Sequence, residues 1–120
     1  MAASILIADD ETDFRAWLRE SLESVGYGVI EAANGKEAMD LLKQASVDLC
    51  ITDLAMPEQE GIETIRLLRY QYPALKIIAI SGAFGPAFLR VSKILGAAAA
   101  LQKPIQLDNL LQTVKQLLRE

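Results

Sequence analysis

Five residues that can take part in chemistry stand directly after short apolar runs of the sequence. The sequence has five such runs, and four of them are followed by these residues. Asp9 and Asp10 follow the first run, Asp53 follows the third and Ser81 follows the fourth. Lys103 follows the fifth run after one intervening glutamine. A carboxylate can act as a nucleophile toward a phosphoryl group, and carboxylates are also the hard oxygen ligands that Mg2+ prefers. A lysine can neutralise a phosphoryl group and a serine hydroxyl can donate to one of its oxygens. Brought together, these groups would form a Mg2+-dependent site for phosphoryl transfer to an aspartate.

The apolar runs have the length and composition of strands that are buried on both faces. Residues with helical spacing lie between them, and glycine or proline ends several of these segments, at Gly26, Pro73 and Gly96. Asn34 and Glu37 form a capping pair that opens the second helix, which we expect to reach about residue 45. We predict strands at residues 4–8, 27–32, 47–52, 75–80 and 97–101, and helices marked by Phe14, Leu18, Leu22 and Val25, by Met39 and Leu42, by Ile62, Ile65, Leu68 and Tyr72, by Phe88, Val91 and Leu95, and by Leu107, Leu111, Val114 and Leu118.

Five strands alternating with five helices predict an α/β fold, a parallel sheet with helices on both faces. In the flavodoxin-like (βα)5 order 2-1-3-4-5, strands one and three are neighbours where the strand order reverses, and ligands bind outside the carboxyl ends of strands there. Asp9, Asp10 and Asp53 would then converge, with Ser81 and Lys103 along the same edge. Because clustered carboxylates raise one another's pKa unless a cation compensates, this arrangement favours bound Mg2+.

Length and composition restrict the remaining possibilities. A chain of 120 residues that is 52% hydrophobic suits one domain, residues 1–120. A net charge of −4 with scattered basic residues argues against nucleic-acid binding. No apolar run approaches the ~20 residues of a membrane span, so we expect a cytoplasmic protein. The chain has no histidine, and the single cysteine, Cys50, is expected to be a small core residue.

The whole chain resembles the receiver domain of two-component response regulators, of which the single-domain chemotaxis regulator is the best-known member. The resemblance is specific because four separate motifs occur in the order and at the strand ends that the family requires. These motifs are Asp9-Asp10-Glu11, Asp53-Leu-Ala-Met56-Pro57 followed by Gly61, Ile80-Ser81-Gly82, and Leu101-Gln-Lys103-Pro104.

The resemblance implies a phosphoacceptor and a set of metal ligands. Asp53 would be the phosphoacceptor. Asp10 and Asp53 would bind Mg2+ directly, Asp9 would act through water, and the backbone carbonyl of Ala55 would complete the protein ligands. Glu11 would extend the acidic loop without being a ligand.

The resemblance also implies how the transferred group is held and who supplies it. Ser81 and Lys103 would bind phosphoryl oxygens, Lys103 would pair with Asp53 before phosphorylation, and the Lys103–Pro104 peptide bond would be cis. The donor would be a sensor histidine kinase or a phosphotransfer protein. Such a domain is not an enzyme in the usual sense, since it catalyses only its own phosphorylation and dephosphorylation.

One position departs from the family pattern. Three residues before the lysine, receiver domains usually carry a tyrosine or phenylalanine that moves inward when the hydroxyl residue moves, and this chain has Ala100. We therefore expect residues 82–88 and the helix after them to carry the output, while the alanine-rich fifth strand stays nearly static. The helix 4–strand 5–helix 5 face would be the surface for a homodimer or an effector.

Three other functions compete with this interpretation. A haloacid-dehalogenase-type phosphatase would need a second aspartate where Ala55 stands. A flavin-binding flavodoxin-like protein would need a Ser/Thr/Gly-rich loop after strand one, where Asp9, Asp10 and Glu11 would repel a phosphate. A pseudo-receiver that binds partners without being phosphorylated stays possible, because Ala100 departs from the pattern although every key residue is present.

Overall fold

Strands and helices alternate along the chain, as the sequence predicts. The computed structural model describes residues 3–54, 60–82 and 85–118. The elements are β1 (Ser4–Ala8), α1 (Thr12–Glu23), β2 (Gly28–Ala32), α2 (Gly35–Leu42), β3 (Leu49–Asp53), α3 (Glu60–Gln71), β4 (Lys76–Ser81), α4 (Gly85–Leu95), β5 (Ala99–Gln102) and α5 (Leu107–Leu118).

All five strands form one parallel sheet in the order β2-β1-β3-β4-β5, which confirms the predicted topology. The strand order reverses between β1 and β3, where Ala8 pairs with Thr52 in the register. Asp9 and Asp53, the next residues on each strand, therefore reach the same point at the carboxyl edge of the sheet. The topology alone brings together acids that are 44 residues apart in sequence.

Two hydrophobic clusters fill the space on either side of the sheet. Alternate residues of β1 divide between them: Leu6 belongs to the cluster under α2 and α3, while Ile5 and Ile7 belong to the cluster under α1 and α5. Because both sheet faces are covered, the strands need continuous apolar runs. Cys50 is fully buried in the first cluster, and burial raises the pKa of its thiol to about 12, as expected of a neutral core residue.

The helix ends depart from the prediction in two places. Helix α1 ends at Glu23, and Val25, expected on its apolar face, is 52% exposed because the chain turns at Gly26 with a φ of 101°. Helix α2 ends at Leu42, and the last residues of the predicted segment form a turn.

The predicted capping pair at the start of α2 is present. Asn34 Oδ1 accepts a hydrogen bond from the Glu37 backbone N–H at 2.8 Å, and Glu37 Oε1 accepts one from the Ala33 N–H at 2.9 Å. The first bond satisfies a backbone donor that the helix itself leaves open, and the second holds the chain just before the N-cap residue.

Most strand boundaries are shifted by one or two residues from the predicted ones, as is usual for element ends. The shift has a consequence for the site: Asp53 and Ser81 are the last residues of β3 and β4, and Lys103 is the first residue after β5. None of the described helices is long and apolar enough to span a membrane.

Candidate functional site

Three carboxylates meet where the strand order reverses. Asp9, Asp10 and Asp53 each offer an oxygen, and these oxygens lie within 4.8 Å of one another. Asp9 is fully buried and Asp53 is only 3% exposed, whereas Asp10 faces solvent. The structure thus brings together the three acids that the sequence predicts, with Asp10 as the solvent-exposed member of the group.

Lys103 joins the acidic cluster as its counter-charge. Its Nζ lies 3.0 Å from Asp53 Oδ2, 3.3 Å from Asp9 Oδ2 and 3.0 Å from Glu11 Oε1. An ammonium group has three N–H donors, so these three carboxylates match its full donor capacity. The predicted Lys103–Asp53 pair is present, and the contact with Glu11 is additional.

The aliphatic part of Lys103 runs past Gly82 at the end of β4. A Cβ atom at Gly82 would lie 3.1 Å from the Lys103 Cβ, so the absence of a side chain there leaves room for the lysine. The Lys103 backbone N–H donates to the Ser81 carbonyl oxygen at 2.9 Å, and the Lys103–Pro104 peptide bond is cis as predicted. The ammonium also lies 4.1 Å from the centre of the Phe14 ring, within cation–π range.

Hydrogen bonds fix the loop that carries Asp9. The Glu11 backbone N–H donates to Asp9 Oδ1 at 2.7 Å, and Arg15 Nη1 donates to the Asp9 carbonyl oxygen at 2.6 Å. Arg15 is itself held by Glu31 of β2, whose pKa is lowered mainly by its hydrogen bond with Arg19 and further by the one with Arg15. Helix α1 and strand β2 therefore position the backbone of the acidic loop.

The charges of Asp9 and Lys103 are strongly affected by this environment. Burial is the main cause that raises the pKa of Asp9 to about 7; the Glu11 N–H opposes this effect and the neighbouring Asp53 adds to it. Burial disfavours the charged form of Lys103, but its bonds to Asp53 and Glu11 outweigh burial and raise its pKa. Lys103 therefore stays protonated, whereas Asp9 carries its charge at a cost.

Ser81 lies on the same sheet edge as the acids. It is 1% exposed and follows Ile80, the register partner of Asp53. Ala100 pairs with Ala79 in the β4–β5 ladder and is half-buried. Ala55, predicted to offer its carbonyl oxygen to a metal, lies outside the described residues.

The donor set fits a hard divalent cation. Three clustered carboxylates provide only oxygen ligands, and the chain has no histidine that would favour a softer metal. Burial, with a smaller contribution from the neighbouring Asp53, raises the pKa of Asp9, and the attraction of Lys103 does not offset this. An oxygen-ligated cation such as Mg2+ would supply the compensating charge.

Three contacts of the site were not predicted from the sequence: Glu11 with Lys103, Phe14 with Lys103, and Arg15 with the carbonyl of Asp9. Glu11 and Lys103 are 92 residues apart, so their contact depends on the position of β5 in the sheet. The sequence signal that could have indicated these contacts is the position of the three residues in or next to the first turn of α1. Residues that closely follow Asp10 must lie near the site.

Known proteins resemble this chain in sequence over almost its whole length. The family model described as "Response regulator receiver domain" matches residues 5–115. The response regulator receiver protein CpdR of Brucella abortus (strain 2308) is 36% identical over 114 residues, which cover 95% of this chain and 95% of that protein. The sensor kinase CckA of the same organism is 36% identical over 121 residues, but the match spans only 13% of its length.

Solved structures agree with the sequence matches. The crystal structure of a CheY-like response regulator receiver domain protein from Methanospirillum hungatei JF-1 superimposes with a TM-score of 0.93 at 28% identity, covering 99% of this chain and 95% of that one. The chain therefore belongs to the response regulator receiver domain family, whose members are signalling modules of two-component systems.

Proposed function

We propose that residues 1–120 form a phosphoacceptor receiver domain that takes a phosphoryl group onto Asp53 with the aid of Mg2+ and responds by changing a partner or dimer surface. The observation that carries this proposal is the position of Asp53. It ends β3 inside the acidic cluster, it is almost fully buried, and Lys103 pairs with it at 3.0 Å.

The transfer uses the Asp53 carboxylate as the nucleophile. One of its oxygens attacks the phosphorus of a phosphohistidine, an O–P bond forms and the P–N bond breaks, and the leaving imidazole nitrogen keeps the electron pair and takes up a proton. Lys103 neutralises charge on the phosphoryl oxygens, and the Ser81 hydroxyl donates a hydrogen bond to one of them. The domain thereby catalyses its own modification.

The acidic cluster accounts for the requirement for a metal. Asp10 and Asp53 would bind Mg2+ directly, Asp9 through water, and the backbone carbonyl of Ala55 would complete the protein ligands. When bound, Mg2+ supplies positive charge that offsets the repulsion between the carboxylates and the incoming phosphoryl oxygens.

The donor would be a sensor histidine kinase or a phosphotransfer protein. The occurrence of a similar region within the sensor kinase CckA supports this kind of partner. A kinase would present a phosphohistidine on the side of the acidic cluster where Asp10 is exposed to solvent.

We expect the wild-type protein to gain one phosphoryl group when it is incubated with acetyl phosphate or phosphoramidate and Mg2+. Borohydride reduction should convert the acyl phosphate to homoserine at position 53, which peptide mass spectrometry locates. Asp53→Asn should gain no phosphoryl group, while Asp48→Asn, an exposed change at the other end of β3, should behave as wild type. A mass increase that persists in Asp53→Asn would place the acceptor elsewhere.

The output surface would be the face formed by α4, β5 and α5. Val91 and Ile94 of α4 are 44% and 83% exposed, which supports a contact surface there. The methyl group of Ala100 cannot fill the space that an aromatic side chain fills in other receivers. We therefore assign the conformational response to residues 82–88 and helix α4, with β5 nearly static; residues 83 and 84 lie outside the described residues.

Beryllofluoride, which stands in for the phosphoryl group, tests this response in amide-resolved NMR or hydrogen exchange. The largest changes should fall in residues 82–88 and α4, with small ones at Ala100. Large changes around Ala100 with a still 82–88 segment would contradict the assignment. Changes confined to the pocket would instead favour a pseudo-receiver or a module that only stores phosphoryl groups.

A further inference from the structure

Two contacts of Lys103 lie outside the group of candidate metal ligands. Of the three carboxylates around its ammonium, Asp9 and Asp53 belong to the group that can share a cation, and Glu11 does not. The second outside contact is the ring of Phe14, 4.1 Å from Nζ. Lys103 thus contacts two acids of the candidate cation-binding group and, outside that group, Glu11 and Phe14.

A divalent cation and an ammonium group compete for the same carboxylates. With a cation on Asp9 and Asp53, the attraction of these two residues for Lys103 falls and repulsion between the two positive charges is added. The Glu11 carboxylate keeps its full charge, and the face of an aromatic ring attracts an ammonium group. These two contacts therefore gain importance when the cation is present.

The position of both groups is fixed by helix α1. Glu11 immediately precedes the helix, and its backbone N–H is bonded to the Asp9 carboxylate at 2.7 Å. The Phe14 ring packs against Trp17 on the next turn, with 5.8 Å between the ring centres. The side chain of Glu11 is 66% exposed, so it can be replaced without disturbing the core.

We propose that Glu11 and Phe14 are positioning residues that keep the Lys103 ammonium at the mouth of the acidic cluster when a divalent cation occupies it. Lys103 then remains close enough to bind an arriving phosphoryl group. This inference rests on the proposed function for its consequence on the reaction, but the holding of Lys103 can be measured without any phosphoryl transfer.

The test follows the mobility of the Lys103 side chain by 13C relaxation at Cε in lysine-labelled protein, with and without saturating Mg2+. In the wild type the Cε order parameter should stay high in both conditions. In Glu11→Gln the order parameter should stay high without Mg2+ and fall when Mg2+ is added.

Three further variants serve as comparisons. Phe14→Leu should show a smaller fall, and Glu11→Asp, which retains the charge, should lie between wild type and Glu11→Gln. Glu20→Gln, the same change at an exposed position of α1, should match the wild type.

The rate of phosphorylation by phosphoramidate at saturating Mg2+ is the second measurement. In Glu11→Gln it should fall about two- to fivefold, the range for an exposed ion pair. Equal Lys103 order in wild type and Glu11→Gln with Mg2+ present would overturn the inference. If Lys103 responds as expected while the wild type takes up no phosphoryl group, the proposed function is wrong and the holding of the lysine is supported.

Discussion

Replacing Asp10 with alanine is expected to weaken Mg2+ binding by about 100-fold or more. Removing a residue that only hydrogen-bonds to a metal ligand already costs about 10- to 100-fold in metal affinity. The substitution removes one of the three carboxylates that lie within 4.8 Å of one another. Phosphorylation by small donors should be lost with the metal, because the charge that offsets carboxylate repulsion is then missing. The affinity for the metal is measured by titration with Mg2+ or Mn2+, monitored by calorimetry or by the fluorescence of Trp17.

Asp13→Ala is the matched control for this substitution. Asp13 is an exposed acid in the first turn of α1 and lies outside the carboxylate group. Its replacement removes the same charge as Asp10→Ala, three residues further along the chain. Asp13→Ala should retain Mg2+ binding within about fivefold, since an interaction of an exposed charge is worth at most about 1 kcal/mol. Equal losses in Asp10→Ala and Asp13→Ala would mean that general electrostatics, not ligation by Asp10, governs the affinity.

The fold could be predicted from the sequence because local signals and the overall pattern agree. Continuous apolar runs indicate strands covered on both sides, and the regular alternation with helices leaves a parallel sheet as the simple solution. The errors fall at element ends, where apolar residues extend beyond the element itself. Val25 has the helical spacing of a core residue but follows the end of α1, and only the backbone turn at Gly26 decides that it faces solvent.

The convergence of the site residues was predictable because it follows from topology. Once β1 and β3 are neighbours, residues at their carboxyl ends must meet, so the grouping of Asp9, Asp10 and Asp53 required no side-chain detail. Lys103 could be placed on the same edge by the same argument. The resemblance to a known family added the individual roles, which remain proposals to be tested.

The finer contacts could not be predicted because they depend on side-chain direction. That the exposed side chain of Glu11 reaches Lys103 depends on the conformation of the loop after β1 and on the bond between its N–H and Asp9. The approach of Lys103 to the Phe14 ring depends on the path of its side chain past Gly82. Neither relation leaves a periodic pattern in the sequence.

The stability of the metal-free protein is expected to fall as the pH rises from 5 to 8. The pKa of Asp9 is 3.8 in an unperturbed chain and about 7 in the folded protein, mainly because of burial. Between these values the folded protein binds more protons than the unfolded chain, so its stability decreases with increasing pH. Between pH 5 and pH 8 the loss of stability attributable to Asp9 is about 2–3 kcal/mol, at about 1.36 kcal/mol per pKa unit.

Urea unfolding at several pH values in the presence of EDTA measures this slope. No histidine in the chain adds its own titration over this range. In Asp9→Asn the slope should largely disappear, because the amide does not ionise, while Asp48→Asn, an exposed change away from the cluster, should keep it. Mg2+ at pH 8 should restore the stability of the wild type, since a bound cation favours the ionised carboxylate. If the free energy of unfolding depends on pH in the same way in wild type and in Asp9→Asn, burial of the Asp9 carboxylate does not cause the loss of stability at high pH.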